Sequence, residues 1–160
     1  MRDITILGIR THAQSFDSAI DTLLEWARQP VGRYVSTSPV YTLMRAVDDD
    51  AVRAVVAGAD MTAADGMPIV WLQRRRGAPD AERVYGPDIM QALCERGVAL
   101  GLRHYLLGGV DGAAEQLAAV LQSRYPGLVI AGLSSPFVDE QGPPDPALVA
   151  AIMATRPHVV

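Results

Sequence analysis

The fold class of this chain is most clearly indicated by residues 103–134, RHYLLGGVDGAAEQLAAVLQSRYPGLVIAGLS. The segment RHYLLGG is an apolar strand pattern that ends in two glycines, and LVIAGLS is a second strand pattern. Between them, apolar residues recur at helical spacing over 111–125. This order predicts a parallel βαβ unit, because two adjacent parallel strands need a crossover connection, which is usually a helix.

The rest of the sequence repeats this alternation. Strand patterns occur at ITILGI, RYVSTS and MTAAD, and HVV begins another at the end of the chain. Helical patterns cover 16–29, 39–47, 49–57, 67–76, 87–100 and 146–155, and FVDEQGPPDP is a polar loop pattern. The alternation predicts a Rossmann-like α/β fold, in which a parallel sheet has helices on both faces. No linker pattern interrupts it, so we expect one domain over residues 1–160.

The composition excludes several classes of protein. Hydrophobic residues make up 49% and charged residues 20% of the 160 positions, which is typical of a globular chain. The net charge of −4 argues against broad nucleic-acid binding, which needs a basic face. The single cysteine, Cys94, excludes an internal disulfide and suits a reducing cytoplasm. The sequence contains no lysine, which excludes P-loop and Schiff-base mechanisms.

Targeting and membrane segments are not recognisable in the sequence. The N-terminus has a short apolar run without a small-residue cleavage site, so we expect no secretory signal. A membrane-spanning helix needs about 20 apolar residues, and no such run occurs. We therefore expect a cytoplasmic protein.

Gly108 and Gly109 follow the strand pattern RHYLL and precede a helix pattern. Such a turn directs backbone N–H groups and the positive end of a helix dipole towards an anion such as a phosphate. The alternative is a tight turn without a ligand. The spacing GGxxG differs from the dinucleotide fingerprint GxGxxG, and LVIAGLS lacks the acidic residue that would hold an adenosine ribose.

Asp65, in the segment TAADGMP, stands at the end of a short strand pattern and directly before a helix pattern. Ligands of open α/β sheets gather at the carboxyl ends of strands. A partly desolvated carboxylate there can act as a general base. The alternative is that Asp65 forms an Asp-Gly turn or caps the helix.

Thr37 and Arg83 are further candidate binding residues. Thr37 ends the strand pattern RYVSTS, where its hydroxyl can bind a phosphate or a sugar, or cap a helix that follows Pro39. Arg83, in ERVYGPD, can pair with a phosphate, or it is a solvated charge. In the same segment, Asp88 can cap the next helix.

Other polar clusters fit structural roles better. Asp48–Asp50 has the DxD spacing of a metal site but precedes a helix pattern, where acids suit the N-terminus. Arg74–Arg76 is a solvated helix end, with contact to anionic lipid or pyrophosphate as the alternative. The three histidines have no ligand spacing, so we expect no metal and no other cofactor. We expect both tryptophans in the core.

Several motifs follow one another along the chain: Thr37 after a strand, then ADG, ERVYGPD, RHYLLGG, GAAEQLAAVLQSRYPGL and RPHVV. This order resembles the WecG/TagA/CpsF family of glycosyltransferases. The resemblance runs from the first strand to Val160. It implies an inverting, metal-independent transfer of an N-acetylmannosamine-like sugar from a UDP-sugar to a polyprenyl-diphosphate-linked saccharide. Bacterial teichoic acid, capsule or exopolysaccharide biosynthesis is the implied setting, at the inner face of the cell membrane.

The resemblance also implies roles for single residues. Asp65 takes the place of the catalytic base, and Thr37 takes the place of a substrate contact. Arg83 takes the place of the arginine that binds the diphosphate. Gly108 and Gly109 match the glycine turn on the nucleotide side.

The sequence departs from the family pattern in two ways. Pro39 stands where the family usually has asparagine, which affects the sugar contact. The usual Gly-x-Pro-Lys-Gln-Glu stretch and the C-terminal tail do not follow RPHVV. Because that tail completes the active site and docks on the membrane, we expect a truncated chain with little activity. An exposed last strand also favours a homo-oligomer.

Two other functions stay open at this point. A nicotinamide-dependent oxidoreductase also uses a parallel sheet with a glycine turn, and bound dinucleotide would reveal it. A non-catalytic module that binds a nucleotide-sugar is the second alternative, and it would bind UDP without turnover.

Overall fold

The structure is a computed structural model, and it describes residues 1–136, 143 and 145–160. The greater part of the predicted loop FVDEQGPPDP lies outside the described residues. The chain forms two compact units, Met1–Met90 and Gln91–Val160.

The first unit is built on a four-stranded sheet with the order β1-β2-β4-β3. Its strands are β1 (Arg2–Ile6), β2 (Ile9–Ala13), β3 (Val35–Ser38) and β4 (Met61–Ala64). The central strand β4 is parallel to both β2 and β3. The helices of this unit are α1 (Phe16–Trp26), α2 (Val40–Asp48), α3 (Asp50–Gly58), α4 (Met67–Arg75) and the start of α5 (Gly86–Gly97).

The predicted first strand, ITILGI, is a hairpin in the structure. Strands β1 and β2 are antiparallel, and Ile6 pairs with Ile9 across a two-residue turn. Leu7 and Gly8 both have positive φ angles, 52° and 77°, as a type I′ hairpin turn requires. The hairpin adds one antiparallel edge strand to an otherwise parallel arrangement, and the predicted Rossmann-like α/β class is confirmed.

The core of the first unit lies between the sheet and its helices. Helix α4 packs on β1 and β4, α3 packs on β2, and α2 packs on β3. The main hydrophobic cluster of this core contains the buried residues Ile4, Ile6, Ile9, Ala13, Leu43, Ala46, Val56, Ala64, Ile69, Val70, Ala78 and Ala81. Trp71 was expected in the core, but 57% of its surface is exposed on the outer side of α4. The expectation was wrong because Ile69, Val70 and Gln73 form the buried face of that helix.

His12 is a buried polar residue of this unit that is hydrogen-bonded to a neighbouring strand. Its Nδ1 atom accepts a hydrogen bond from the Thr62 backbone N–H at 2.8 Å, so β2 and β4 are joined through a side chain. Burial lowers the pKa of His12, which keeps the imidazole neutral and Nδ1 able to accept. This histidine therefore has a structural role.

The second unit contains the predicted βαβ unit. Strand β5 (Arg103–Leu107) and strand β6 (Val129–Ser134) are parallel, and helix α6 (Ala113–Arg124) connects them. The predicted strand HVV contributes one parallel bridge, between His104 and Val159. Helix α5 ends at Gly97, before a single 3₁₀ turn at Val98–Leu100, and helix α7 spans Pro146–Ala154.

Candidate active site at the carboxyl ends of β3 and β4

Asp65 lies where β4 ends, directly before α4. Its backbone N–H donates to the Ser38 carbonyl oxygen at 3.2 Å, which continues the pairing of β3 and β4 by one residue. Gly66 is the N-cap of α4, and no side chain caps this helix. The carboxylate of Asp65 is therefore not used as a helix cap, which was one of the two structural alternatives for this residue, beside an Asp-Gly turn.

The segment ERVYGPD brings Arg83 to Asp65. The Val84 backbone N–H donates to the Ala64 carbonyl oxygen at 2.9 Å, and the Val84 side chain is buried, so this segment is fixed beside the end of β4. Nη2 of Arg83 lies 3.6 Å from Oδ1 of Asp65. The side chain of Asp65 is 15% exposed and that of Arg83 is 45% exposed. An anionic ligand can therefore reach the arginine from solvent.

The pKa of Asp65 is raised above its ordinary value. Burial is the largest cause, because it disfavours the charged form. The positive charge of Arg83 opposes this effect, and the negative charge of Asp88 adds to it. A carboxylate with a raised pKa is a stronger base, and perturbed pKa values of this kind are frequent at functional sites.

Thr37 lies on β3, paired with Ala63 of β4. Helix α2 has Pro39 as its N-cap and no side-chain cap, so the hydroxyl of Thr37 is not used for capping. A Cβ atom placed on Gly86 would lie 3.4 Å from Oγ1 of Thr37. The start of α5 thus lies against Thr37, and glycine at position 86 leaves the most room beside its hydroxyl.

Tyr85 and Asp88 belong to the same site but were not predicted as functional residues. The guanidinium carbon of Arg83 lies 4.0 Å from the centre of the Tyr85 ring, which is a cation–π contact. Asp88 lies in the first turn of α5. The sequence signal for Tyr85 was its position two residues after Arg83, but spacing alone does not distinguish a stacked ring from a solvated one.

The glycine turn of the second unit follows β5. Gly108 and Gly109 have φ angles of 105° and 87°, which residues other than glycine rarely adopt. The Gly108 N–H donates to the Ser134 carbonyl oxygen at 2.8 Å, and the Ser135 hydroxyl donates to the Gly108 carbonyl oxygen at 3.0 Å. Gly108 therefore fixes the turn with its own backbone groups, and its N–H is not available to a phosphate.

The acidic run Asp48–Asp50 has the helix-end role expected for it. Oδ1 of Asp49 accepts hydrogen bonds from the N–H groups of Ala51 and Val52, so Asp49 is the N-cap of α3. Within the described part of the chain, no group of three or more His, Cys, Asp or Glu residues is placed to hold a metal ion.

The arginine run after Trp71 is partly tied to the fold. Nε of Arg74 donates to the Ala81 carbonyl oxygen at 2.8 Å, and Nη1 of Arg76 donates to the Thr5 carbonyl oxygen. Arg75 lies exposed between them.

An α/β fold with a half-buried carboxylate beside an exposed arginine at parallel strand ends is typical of enzymes that bind ligands there. A family model described as the glycosyl transferase WecG/TagA/CpsF family matches residues 4–160. The chain belongs to this family, as its sequence motifs predicted, and it is a glycosyltransferase of cell-surface polysaccharide biosynthesis. Among the helices that the structure describes, none has the length and apolar character needed to cross a bilayer.

Proposed function

We propose that this chain transfers a sugar from a UDP-sugar to a saccharide linked to polyprenyl diphosphate, with inversion at the anomeric carbon. The observation that carries the proposal is the pair formed by Asp65 and Arg83 at the end of β4. An acceptor hydroxyl is a poor nucleophile and needs a positioned base, and a departing UDP needs stabilisation of its charge. One carboxylate and one guanidinium supply these two requirements.

In the proposed reaction, Asp65 removes the proton of the acceptor hydroxyl as its oxygen attacks the anomeric carbon of the donor. The bond between that carbon and the UDP oxygen breaks, and UDP leaves with the electron pair. A single displacement of this kind inverts the anomeric configuration. Arg83 stabilises diphosphate charge, because its planar fork of N–H donors matches phosphate oxygens.

Thr37 is proposed as a substrate contact, since its hydroxyl lies at the same strand ends and does not cap α2. For the glycine turn, the backbone of Gly109 and the N-terminus of α6 support phosphate binding, while Gly108 shapes the turn. The implied donor sugar resembles N-acetylmannosamine. We propose that residues 1–160 serve this single activity.

We propose a location at the inner face of the cell membrane, where a polyprenyl-linked acceptor lies. The exposed face of α4 supports this location. Met67, Trp71 and Leu72 are exposed on it, and Arg74–Arg76 follow at its end. Exposed aromatic and aliphatic side chains next to arginines are typical of surfaces that attach to anionic lipid.

The reaction is tested with a panel of UDP-sugars. A donor that binds the native protein raises its melting temperature, so thermal shift selects the donor. The full-length protein is then incubated with that donor and a short polyprenyl-diphosphate-linked N-acetylglucosamine. We expect UDP release that depends on the acceptor and a product with the opposite anomeric configuration. A protein that is stabilised by UDP but releases none in the presence of acceptor would instead be a binding module.

Metal independence is a separate prediction. Because the proposed chemistry uses Arg83 and backbone groups to stabilise the leaving diphosphate, we expect transfer to continue in excess EDTA. The measurement is UDP release before and after chelation, with Mg²⁺ and Mn²⁺ added back. Loss of turnover that either ion restores would contradict the prediction.

A further inference from the structure

We propose that Tyr85 is a positioning residue that holds the Arg83 guanidinium beside Asp65 with its N–H donors open to a diphosphate. This inference rests on the proposed function for the identity of the ligand. The contact on which it depends, the stack of Arg83 on Tyr85, is independent of that function.

An exposed arginine has many side-chain conformations, and each contact it makes must overcome the entropy of ordering it. The Arg83 side chain is 45% exposed, and its distance of 3.6 Å from Asp65 is long for a hydrogen bond. The ion pair alone is therefore a weak restraint, since exposed pairs contribute little in water. A second restraint is needed to keep the guanidinium in place.

Tyr85 supplies that restraint from a fixed position. Its carbonyl oxygen accepts the first hydrogen bond of α5, from the Ile89 N–H at 2.9 Å. On its other side, Val84 is bonded to the end of β4 and buried. The ring therefore lies on a backbone that is tied to both a strand and a helix, and only its side-chain torsions remain to be ordered.

The stack also determines which parts of Arg83 stay available. At 4.0 Å from the ring centre, the guanidinium carbon is close enough for the ring to pack on a guanidinium face, where the ring engages none of the in-plane N–H donors. Nη2 lies 3.6 Å from Oδ1 of Asp65, and the 45% exposure of the Arg83 side chain lets an anion approach the guanidinium from solvent. A phosphate needs this in-plane geometry for two parallel hydrogen bonds. Tyr85 therefore orients Arg83 without occupying any of its donors.

The test compares Tyr85→Phe with Tyr85→Leu. Phenylalanine keeps the ring and therefore the stack, whereas leucine keeps an apolar side chain but has no π face. In the transfer assay we expect Tyr85→Leu to raise the KM for the UDP-sugar about two- to fivefold, which is the factor expected from loss of an exposed cation–π contact. Tyr85→Phe should leave the KM unchanged. The double variant with Arg83→Gln should match Arg83→Gln alone, because the tyrosine acts through the arginine.

A second readout needs no turnover. The Asp65 carboxyl carbon is followed by NMR against pH, and its signal is identified by its absence from Asp65→Asn. If Tyr85→Leu frees Arg83, Asp65 loses a neighbouring positive charge, so its pKa rises further, as it should in Arg83→Gln. Tyr85→Phe should titrate like the wild type.

The two readouts separate the two proposals. If no UDP-sugar is turned over but the Asp65 titration moves in Tyr85→Leu and not in Tyr85→Phe, the positioning role stands and the proposed reaction fails. If transfer occurs and Tyr85→Leu changes neither the KM nor the titration, Tyr85 does not position Arg83. Equal effects of the leucine and phenylalanine variants would overturn the inference too, because they would implicate the hydroxyl and not the ring.

Discussion

The turn from β4 to α4 and the turn from β5 to α6 both lead a parallel strand into a helix, but they are built differently. In the first, Gly66 has a φ of −169°, which is ordinary extended backbone that any residue adopts. In the second, Gly108, Gly109 and Gly112 all have positive φ angles. The first turn makes few demands on its backbone, whereas the second requires glycine.

This difference determines whether each turn offers side-chain groups or backbone groups to a ligand. The first presents side chains, since Asp65 lies on it and Arg83 is brought to it from a segment bonded to β4. The second offers mainly backbone, because glycines have no side chains to present. We therefore expect substitutions in the first turn to change the reaction and leave the fold intact. Substitutions in the second turn should lower the stability of the fold.

The largest expected effect is on turnover, in Asp65→Asn. Asparagine has the size of aspartate but cannot take up a proton at neutral pH. Loss of a general base typically costs about 10²–10⁴-fold in rate. The measurement is UDP release per folded molecule in the full-length protein, with folding checked by thermal unfolding.

Asp60→Asn is the matched control, because Asp60 lies at the opposite end of the same strand. Its Oδ2 accepts a hydrogen bond from the Tyr34 N–H at 3.0 Å, and the amide oxygen of asparagine can accept the same bond. We expect normal turnover in this variant. If Asp65→Asn keeps more than about a tenth of the wild-type rate, Asp65 is not the base, because a loss of less than about tenfold is smaller than the loss expected on removal of a general base.

The second effect is on stability, in Gly109→Ala. An L-residue in the left-handed region costs about 1–2 kcal/mol, and the new Cβ would lie 3.2 Å from Cβ of Ala113. Denaturant unfolding should therefore show a loss of at least that size. Gly66→Ser is the control in the first turn, where a Cβ would meet only Cδ of Pro68, at 3.8 Å.

Serine is a better N-cap than glycine by only a few tenths of a kcal/mol, so Gly66→Ser should be nearly neutral or slightly stabilising. Equal destabilisation of the two variants would remove the distinction between the turns. In a separate measurement, UDP binding by the folded Gly109→Ala variant tests whether this backbone also contacts a phosphate.

The sequence predicts most of this fold because hydrophobic periodicity determines its elements. The βαβ unit of residues 103–134 and the predicted helix positions are confirmed to within a few residues at most ends. The hairpin at Leu7–Gly8 was missed, since the usual signal for such a turn is Asn-Gly or Asp-Gly, and leucine rarely adopts a positive φ. Trp71 was misplaced because helical spacing shows that a face exists but not which face is buried.

The candidate site was predictable only in part. Asp65 and Thr37 could be placed at strand ends because each follows a recognisable strand pattern. Arg83 could be singled out, but its position beside Asp65 depends on the hydrogen bond from Val84 to Ala64, which links segments 20 positions apart. The stack on Tyr85 and the influence of Asp88 depend in turn on that placement. Contacts of this kind arise from tertiary structure and leave no local pattern.

The smallest expected effect concerns the pH dependence of stability, and it compares two aspartates of the first unit. The pKa of Asp65 is raised by burial in the folded state, so the folded protein binds this proton more tightly than the unfolded chain does. Stability then falls as the pH rises from the unfolded pKa through the raised folded one. Asp65→Asn removes the cost of ionising this buried carboxyl. The free energy of unfolding of the variant, relative to that of the wild type, should therefore grow across that pH window and then stay constant up to neutral pH.

The pKa of Asp49 is shifted in the opposite direction, so this residue serves as the reference. The hydrogen bond from the Val52 N–H, with a further one from Ala51, lowers the pKa of its carboxyl in the folded state. Its contribution is therefore present above the unfolded pKa and is lost as the pH falls through the lowered one. Asp49→Asn should be less stable than the wild type at neutral pH and should approach it in acid. The measurement is urea unfolding at a series of pH values. If Asp65→Asn followed the same course as Asp49→Asn, the carboxylate of Asp65 would be a stabilising part of its turn, and the first turn would not differ from an ordinary helix cap.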